Sequence, residues 1–161
     1  MDYATFVNYA EQCAPLINPK TMGYLVKQES SFNPYAIGIV GGKLERQPTN
    51  LSEAVATARD LKKRGIRFSA GISQVFVGNF DRFGLDEVSV FDICKNLQSG
   101  SQILSECHDR ATARGAKGQV AIEQAMSCYT GNNFEIGFKN GYVQAIVATA
   151  YKARMSSGLA R

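Results

Sequence analysis

Apolar residues recur at helical spacing through most of this chain, and that pattern limits the folds it can adopt. The clearest case is a long segment opened by Asp92, whose seam consists of Ile93, Leu97, Gly100, Leu104 and Cys107. Intervals of three or four residues are typical of an amphipathic helix. Shorter segments behave alike, so the sequence predicts an all-α protein. A very small strand pair could lie between residues 36 and 72, where strand signals are weak.

Start and stop signals divide this pattern into helices. A first helix is predicted over residues 3–12, and a second begins where Asn18 can cap it and Pro19 takes its first position. Ser52 is expected to cap a third helix, which Gly65 ends.

Turn-rich stretches fill the intervals between the helices. Residues 33–50 and 66–80 are expected to be irregular, and residues 114–118 to form a turn before the helix whose apolar face carries Tyr129. Asn140 is expected to cap a last helix. With 161 residues, 45% of them hydrophobic, the chain suits one domain. We predict a domain over residues 1–154 and a frayed tail over residues 155–161.

Charge and hydropathy exclude several classes of function. The net charge of +4 is mild, and the basic run Lys62-Lys63-Arg64 is best explained as a solvated helix end. Without aromatic interleaving it does not predict nucleic-acid binding. No apolar run approaches the ~20 residues that span a bilayer, so we expect no stable membrane insertion. No secretory leader precedes Asp2, so export would require that the leader has been removed.

The four cysteines, Cys13, Cys94, Cys107 and Cys128, permit two disulfides and an oxidising compartment. The chain has no CxxC and one His, so zinc is not expected. Cys94 and Cys107 fall on one predicted helix, ~20 Å apart at 1.5 Å per residue, which is too far for a bond. Two pairings remain. We favour Cys13–Cys94 with Cys107–Cys128 over Cys13–Cys107 with Cys94–Cys128, and four free thiols are the alternative.

Glu29 is a carboxylate on the apolar side of the second helix. It continues the helical series of Met22, Leu25 and Val26, and the helix should end soon after it because Pro34 disfavours further helix. Desolvation and the negative helix end both raise a carboxyl pKa. Glu29 is therefore predicted to act as a general acid, although a surface glutamate near a helix end is the plainer explanation.

Three segments together resemble the signature regions of lytic transglycosylases with a lysozyme-like, goose-type fold. They are Glu29-Ser30-Ser31-Phe32-Asn33-Pro34-Tyr35-Ala36, Gly71-Ile72-Ser73-Gln74-Val75 and Ala125-Met126-Ser127-Cys128-Tyr129-Thr130-Gly131. Further strings resemble the branch that serves type IV secretion and conjugation: Ala36-Ile37-Gly38-Ile39-Val40-Gly41-Gly42, Arg46-Gln47-Pro48 and Glu53-Ala54-Val55-Ala56-Thr57-Ala58. The resemblance covers nearly the whole chain.

The resemblance implies that Glu29 cuts the bond between N-acetylmuramic acid and N-acetylglucosamine. Glu29 would protonate the departing oxygen and then take a proton from the sugar's own 6-hydroxyl, closing a 1,6-anhydro ring without water. No other Asp or Glu falls in the three segments, and a lone acid fits an enzyme whose nucleophile comes from the substrate. Neither a cofactor nor a metal is implied.

Four residues are predicted to bind substrate beside Glu29. The Ser31 hydroxyl could contact the carboxyl or a sugar, and Gln74 offers a donor and an acceptor to an acetamido group. Gly71 would let the backbone approach the sugar. The Tyr129 hydroxyl needs a partner, for which Glu29 is the natural choice. Plainer roles are a turn hydroxyl, a surface Gln, a turn Gly and a core Tyr.

The chain departs from the family pattern at two points. The third string usually reads Tyr-Asn-x-Gly, but here Tyr129 is followed directly by Thr130-Gly131. Relatives often have Met in the second string where this chain has Ile72-Ser73, and we expect that change to alter sugar contacts and not the chemistry.

The sequence therefore predicts a peptidoglycan lytic transglycosylase. By resemblance it is a monomeric periplasmic protein that opens the cell wall for a type IV secretion or conjugation machine, with glycan strands and secretion-system subunits as partners. The alternatives are a muramidase that uses water, like goose-type lysozyme, and a glycan-binding assembly scaffold without catalysis.

Overall fold

The computed structural model describes residues 1–156, and residues 157–161 of the predicted tail lie outside the described residues. The chain divides into two compact units, the first over residues 1–101 and the second from Gln102 onward. The long helix α4 (Ile93–Ala113) contributes to both.

Three helices with side-chain caps organise the first unit. Helix α1 (Tyr3–Cys13) is capped by Asp2, α2 (Pro19–Ser30) by Asn18, and α3 (Leu51–Lys63) by Asn50. Each cap oxygen accepts a backbone N–H of the first turn, a group that has no partner within the helix. Ser52 was predicted to cap α3, but it lies inside the first turn, and the Asn50 carboxamide accepts from Glu53 N at 2.9 Å instead.

Stretches that were predicted to be irregular form a three-stranded antiparallel sheet. Strands β1 (Ile37–Ile39), β2 (Phe68–Ala70) and β3 (Val75–Phe76) are hydrogen-bonded in that order. The register places Ile37 opposite Ala70, and Ala70 opposite Val75. The predicted strand pair between residues 36 and 72 is thus β1–β2, and β3 was missed because two or three residues are too few to show alternation.

The first unit has a well-packed apolar core. Its largest fully buried side chains include Phe6, Met22, Leu25, Val26, Phe68, Ile72, Phe80 and Leu97. Three short 3-10 segments (Val77–Asn79, Asp81–Phe83 and Ser89–Phe91) lead from the sheet to α4. Asp92, which was predicted to open this helix, caps α4 by accepting from Lys95 N at 2.8 Å.

The second unit is built from the rest of α4 with helices α5 (Gly118–Gly131), α6 (Ile136–Lys139) and α7 (Tyr142–Ser156). The sequence did not predict α6, which is one turn long. Asn140 caps α7 as predicted, with Tyr142 N donating to its side chain at 3.0 Å. Gly137 packs against Ser127, because a Cβ there would lie 2.7 Å from the Ser127 Cα.

The helices and the small sheet confirm the mainly α, lysozyme-like fold class. Both disulfides follow the favoured pairing, Cys13–Cys94 in the first unit and Cys107–Cys128 in the second. No helix in the described part of the chain is long and apolar enough to cross a bilayer.

The two disulfides should differ in how much they stabilise their units. They close loops with sequence separations of 81 and 21 residues. Loop-closure entropy then predicts about 4.5 kcal/mol for Cys13–Cys94 and about 3.4 kcal/mol for Cys107–Cys128. Urea unfolding of the paired Cys→Ser variants should show the larger loss for the first pair, and a larger loss for the second would contradict the entropic account.

A second prediction concerns Glu53, whose carboxylate accepts from Thr49 N at 2.9 Å and from Thr49 Oγ1 at 3.1 Å. These bonds, and more weakly Arg46, hold the pKa of Glu53 below its usual 4.5. A carboxyl with a depressed folded pKa stabilises the fold above its unfolded pKa, and that contribution is lost as pH falls through the folded value.

Glu53→Gln should therefore lower the urea midpoint at pH 7, and the difference from wild type should shrink well below pH 4.5. Glu45→Gln is the matched control, because Glu45 is an exposed glutamate of the loop that leads to Thr49 and α3. A difference that stays constant with pH would show that the Thr49 bonds do not depend on the charge.

Candidate active site

Glu29 lies in the last turn of α2, as the sequence predicts. The preceding residues of the same face, Met22, Leu25 and Val26, are fully buried, whereas Glu29 itself is half-buried. A half-buried residue is accessible to solvent over part of its surface and contacts the protein over the rest. This exposure suits a group that must meet a substrate.

The chain leaves α2 through two consecutive residues in the left-handed region. Ser31 has φ 52° and Phe32 has φ 64°. Each such residue other than glycine costs about 1–2 kcal/mol. The turn therefore persists only because its surroundings fix it, and strain of this kind is often found at functional sites.

Two sets of contacts hold this turn. The Phe32 ring packs edge-on against Phe6, with centroids 5.2 Å apart, and the Tyr3 ring centroid lies 6.3 Å from that of Phe32. Asn33 N donates to the Ser30 carbonyl at 3.0 Å, and the Asn33 side chain accepts from Tyr35 N at 2.9 Å. The Phe and Asn of the first motif thus fix the backbone immediately after Glu29.

Ser30, which the sequence analysis did not single out, connects α2 to the second motif. Its hydroxyl lies 2.6 Å from the Ile72 carbonyl oxygen, to which it donates. The same hydroxyl is 3.3 Å from the Val26 carbonyl of its own helix. A sequence signal existed, because Ser30 is four residues after Val26 and so lies on the apolar face.

Gly71, which was predicted to let the backbone approach a sugar, is closely surrounded by protein atoms. It is buried, its φ is +86°, and a Cβ would collide with the Asn96 side-chain nitrogen and lie 2.6 Å from the Val90 carbonyl oxygen. Glycine is needed here for its left-handed backbone and because protein atoms fill the space beside it.

Gln74 uses its amide nitrogen to hold the protein together. Nε2 donates to the Ala36 carbonyl at 2.8 Å and to the Gly71 carbonyl at 2.9 Å, and the backbone φ is 55°. Its oxygen Oε1 sits beside Gly38, where a Cβ would be 2.9 Å away. Both amide hydrogens are thus engaged, and Oε1 is the atom that remains for an acetamido N–H.

The outer edge of β1 is covered by a side chain from the string Arg46-Gln47-Pro48. Gln47 Nε2 donates to the Ile37 carbonyl, and Gln47 Oε1 accepts from Ile37 N, each at 2.9 Å. This carboxamide pairs with Ile37 as a neighbouring strand would, which protects an edge that could otherwise pair with another chain.

The other predicted site residues are placed as follows. Ser31 is the exposed C-cap of α2, with its hydroxyl 3.5 Å from the Lys27 carbonyl, at the long limit of a hydrogen bond. Tyr129 is half-buried in α5 of the second unit. Ser73, expected to alter sugar contacts, is fully buried. Within residues 1–156, no group of three His, Cys, Asp or Glu side chains could hold a metal ion.

Comparisons with known proteins agree with these motifs. The family model described as "Transglycosylase SLT domain" matches residues 6–150. The "Type IV secretion system protein virB1" of Brucella suis is 47% identical over 151 residues, which cover 90% of this chain and 63% of that protein.

More distant relatives match over the same extent of the chain. The "Protein virB1" of Agrobacterium fabrum is 27% identical over 152 residues, covering 93% of this chain and 61% of the relative. The chain thus spans less than two thirds of the length of these curated relatives. No solved structure matches the chain.

The left-handed turn gives a prediction that separates strain from packing. Phe32→Ala and Phe32→Gly both remove the ring, but glycine accepts φ 64° without steric cost. Glycine is normally worse than alanine by about 0.5–1 kcal/mol. Here the Gly variant should be the more stable of the two, by about 1 kcal/mol in urea unfolding. The opposite order would show that residue 32 is not strained.

Proposed function

The chain belongs to the transglycosylase SLT family, and from that premise we propose that it is a peptidoglycan lytic transglycosylase. One observation carries the proposal: the Glu of the first motif lies half-buried at the end of α2, and the residue after it is bonded to the second motif at 2.6 Å. A proton donor fixed beside the predicted glycan-contacting turn is what cleavage of a glycosidic bond requires.

In the proposed reaction, Glu29 donates its proton to the bridging oxygen between N-acetylmuramic acid and N-acetylglucosamine. The bond from that oxygen to C1 of the muramic acid breaks, and the substrate's N-acetyl group steadies the cation. The Glu29 carboxylate then takes the proton of the 6-hydroxyl, and the oxygen of that hydroxyl forms the new bond to C1. The product is a 1,6-anhydro end, Glu29 is again protonated, and no water is consumed.

The residues around Glu29 support this route. The three motif segments supply no second carboxylate, and Glu45 and Asp81 are exposed residues outside them. Gln74 Oε1 is proposed to accept an acetamido N–H, because both amide hydrogens of Gln74 are engaged by backbone carbonyls. Ser31, exposed at the helix end, is proposed to contact the glycan. A substrate-facing role for Tyr129 remains a prediction from the motif.

The names of the relatives suggest the setting. The Brucella protein is named as part of a type IV secretion system. We propose that this chain acts in the periplasm, where two disulfides can form and persist, and that it opens the wall locally for such a machine. Its proposed partners are glycan strands and subunits of the secretion channel.

The deciding experiment is mass analysis of the muropeptides released from purified peptidoglycan. We expect 1,6-anhydro ends, each lighter by one water than the reducing end that a muramidase leaves. Release with reducing ends would favour the water-using muramidase. Binding to the wall without release would favour the scaffold.

Glu29→Gln should lower the rate of release on the order of 10²–10⁴-fold, because the amide cannot donate the proton. Glu11→Gln is the matched control, since Glu11 also lies in the last turn of a helix of the first unit and is exposed. The control should release anhydro products at the wild-type rate. Undiminished release by Glu29→Gln would remove Glu29 from the mechanism.

A further inference from the structure

Two fully buried polar residues, Ser73 and Asn96, face each other in the first unit. Each has 0% of its surface exposed. Asn96 belongs to the first turn of α4, and Ser73 belongs to the turn between β2 and β3. Burying polar groups is costly unless hydrogen bonds satisfy them. Both residues therefore need hydrogen-bond partners inside the protein.

Asn96 uses its whole carboxamide. Its nitrogen donates to the Ala70 carbonyl at 3.0 Å and to the Val90 carbonyl at 2.7 Å. Its oxygen accepts from both the backbone N–H and the hydroxyl of Ser73. Two donors and two lone pairs are the full capacity of the group. One side chain thus bonds both ends of the turn formed by residues 70–73, called here the 70–73 turn. It also bonds Val90, in the segment before α4.

Gly71 shows how closely this carboxamide fits the turn. A Cβ on residue 71 would collide with the Asn96 nitrogen. The Gly71 N–H and the Gln74 side chain both donate to the Ala36 carbonyl, at 2.9 and 2.8 Å. The turn is therefore clamped between Asn96 on one side and the start of β1 on the other.

The clamped turn holds the end of α2. Ile72 lies between the two residues that Asn96 fixes, and its carbonyl accepts the Ser30 hydroxyl at 2.6 Å. Ser30 directly follows Glu29. A displacement of the Ile72 carbonyl would therefore be transmitted to the backbone of the proposed acid through one hydrogen bond and one peptide unit.

We propose that Asn96 is a positioning residue for Glu29, acting through the 70–73 turn and the Ser30 hydroxyl. The proposal rests on the proposed function of Glu29. Asn96 and Ser73 are buried, so their part in the reaction is to set where the carboxyl sits. Because a misplacement of 1 Å can cost about 10²-fold in rate, such a clamp has catalytic consequences without touching the sugar.

The test compares two variants with a matched control. Asn96→Ala removes the clamp, and Ser73→Ala removes one hydroxyl from it. Ser99→Ala is the control: Ser99 is also a buried serine, 5% exposed, but its hydroxyl bonds the Lys95 carbonyl within α4 at 2.9 Å. Thermal unfolding and circular dichroism establish which variants are folded. Kinetics are then measured on soluble glycan strands, at temperatures at which the variants are folded.

We expect kcat to fall about 100-fold for Asn96→Ala and about 10-fold for Ser73→Ala, with KM changed less than about twofold. Ser99→Ala should keep the wild-type kcat even if its unfolding temperature falls as far as that of Ser73→Ala. If Asn96→Ala does not fold, Ser73→Ala decides alone. A kcat for Ser73→Ala equal to that of the control would overturn the proposal.

A second readout separates this inference from the proposed function. Carbon NMR can follow the titration of the Glu29 carboxyl, with the signal assigned by its loss in Glu29→Gln. The titration midpoint should differ between wild type and Ser73→Ala and not between wild type and Ser99→Ala. If wild type releases no anhydro product, the proposed function fails while this comparison still stands. An unchanged midpoint in Ser73→Ala would count against the clamp.

Discussion

The hydrogen bond from the Ser30 hydroxyl to the Ile72 carbonyl joins the two motif segments of the first unit. On one side of it lies a helix end whose next two residues are left-handed and are held by Phe32 packing on Phe6. On the other side lies a turn held by the buried carboxamide of Asn96. This bond therefore couples the position of the helix end to the position of the turn.

The helices could be read from the sequence because their signals are local. Caps at Asn18, Asp92 and Asn140 satisfy orphan N–H groups within a few residues, so composition and spacing suffice to find them. The α3 cap was misplaced by two residues, since Asn50 and Ser52 are both good caps. The sheet was only partly found, because strands of two or three residues are specified by pairing with distant segments, such as Ile37 with Ala70.

Helix geometry excluded one of the three possible disulfide pairings. Of the two that remained, the structure has Cys13–Cys94 with Cys107–Cys128. Helix rise and the reach of a disulfide suffice to exclude a bond between two cysteines of one long helix. Gly71 and Gln74 were harder to interpret. The Gly-x-x-Gln pattern indicates a functional site, but the atoms beside Gly71 and Gln74 come from Asn96 and Ala36, which are far away in the sequence. A single sequence shows a glycine in a turn, but it does not show whether a sugar or a protein group occupies the space beside that glycine.

Asn96 is a polar residue beside the apolar seam of α4. It lies three residues after Ile93 and four before Gly100, so it lies on the edge of the apolar face, where a carboxamide is costly. The same reasoning applies to Ser30, four residues after Val26. A polar side chain at an apolar position must have partners, and in both cases the partners include a backbone carbonyl of the 70–73 turn. Polar residues on predicted apolar faces therefore indicate which loops a helix must hold, even when the sequence cannot identify those loops.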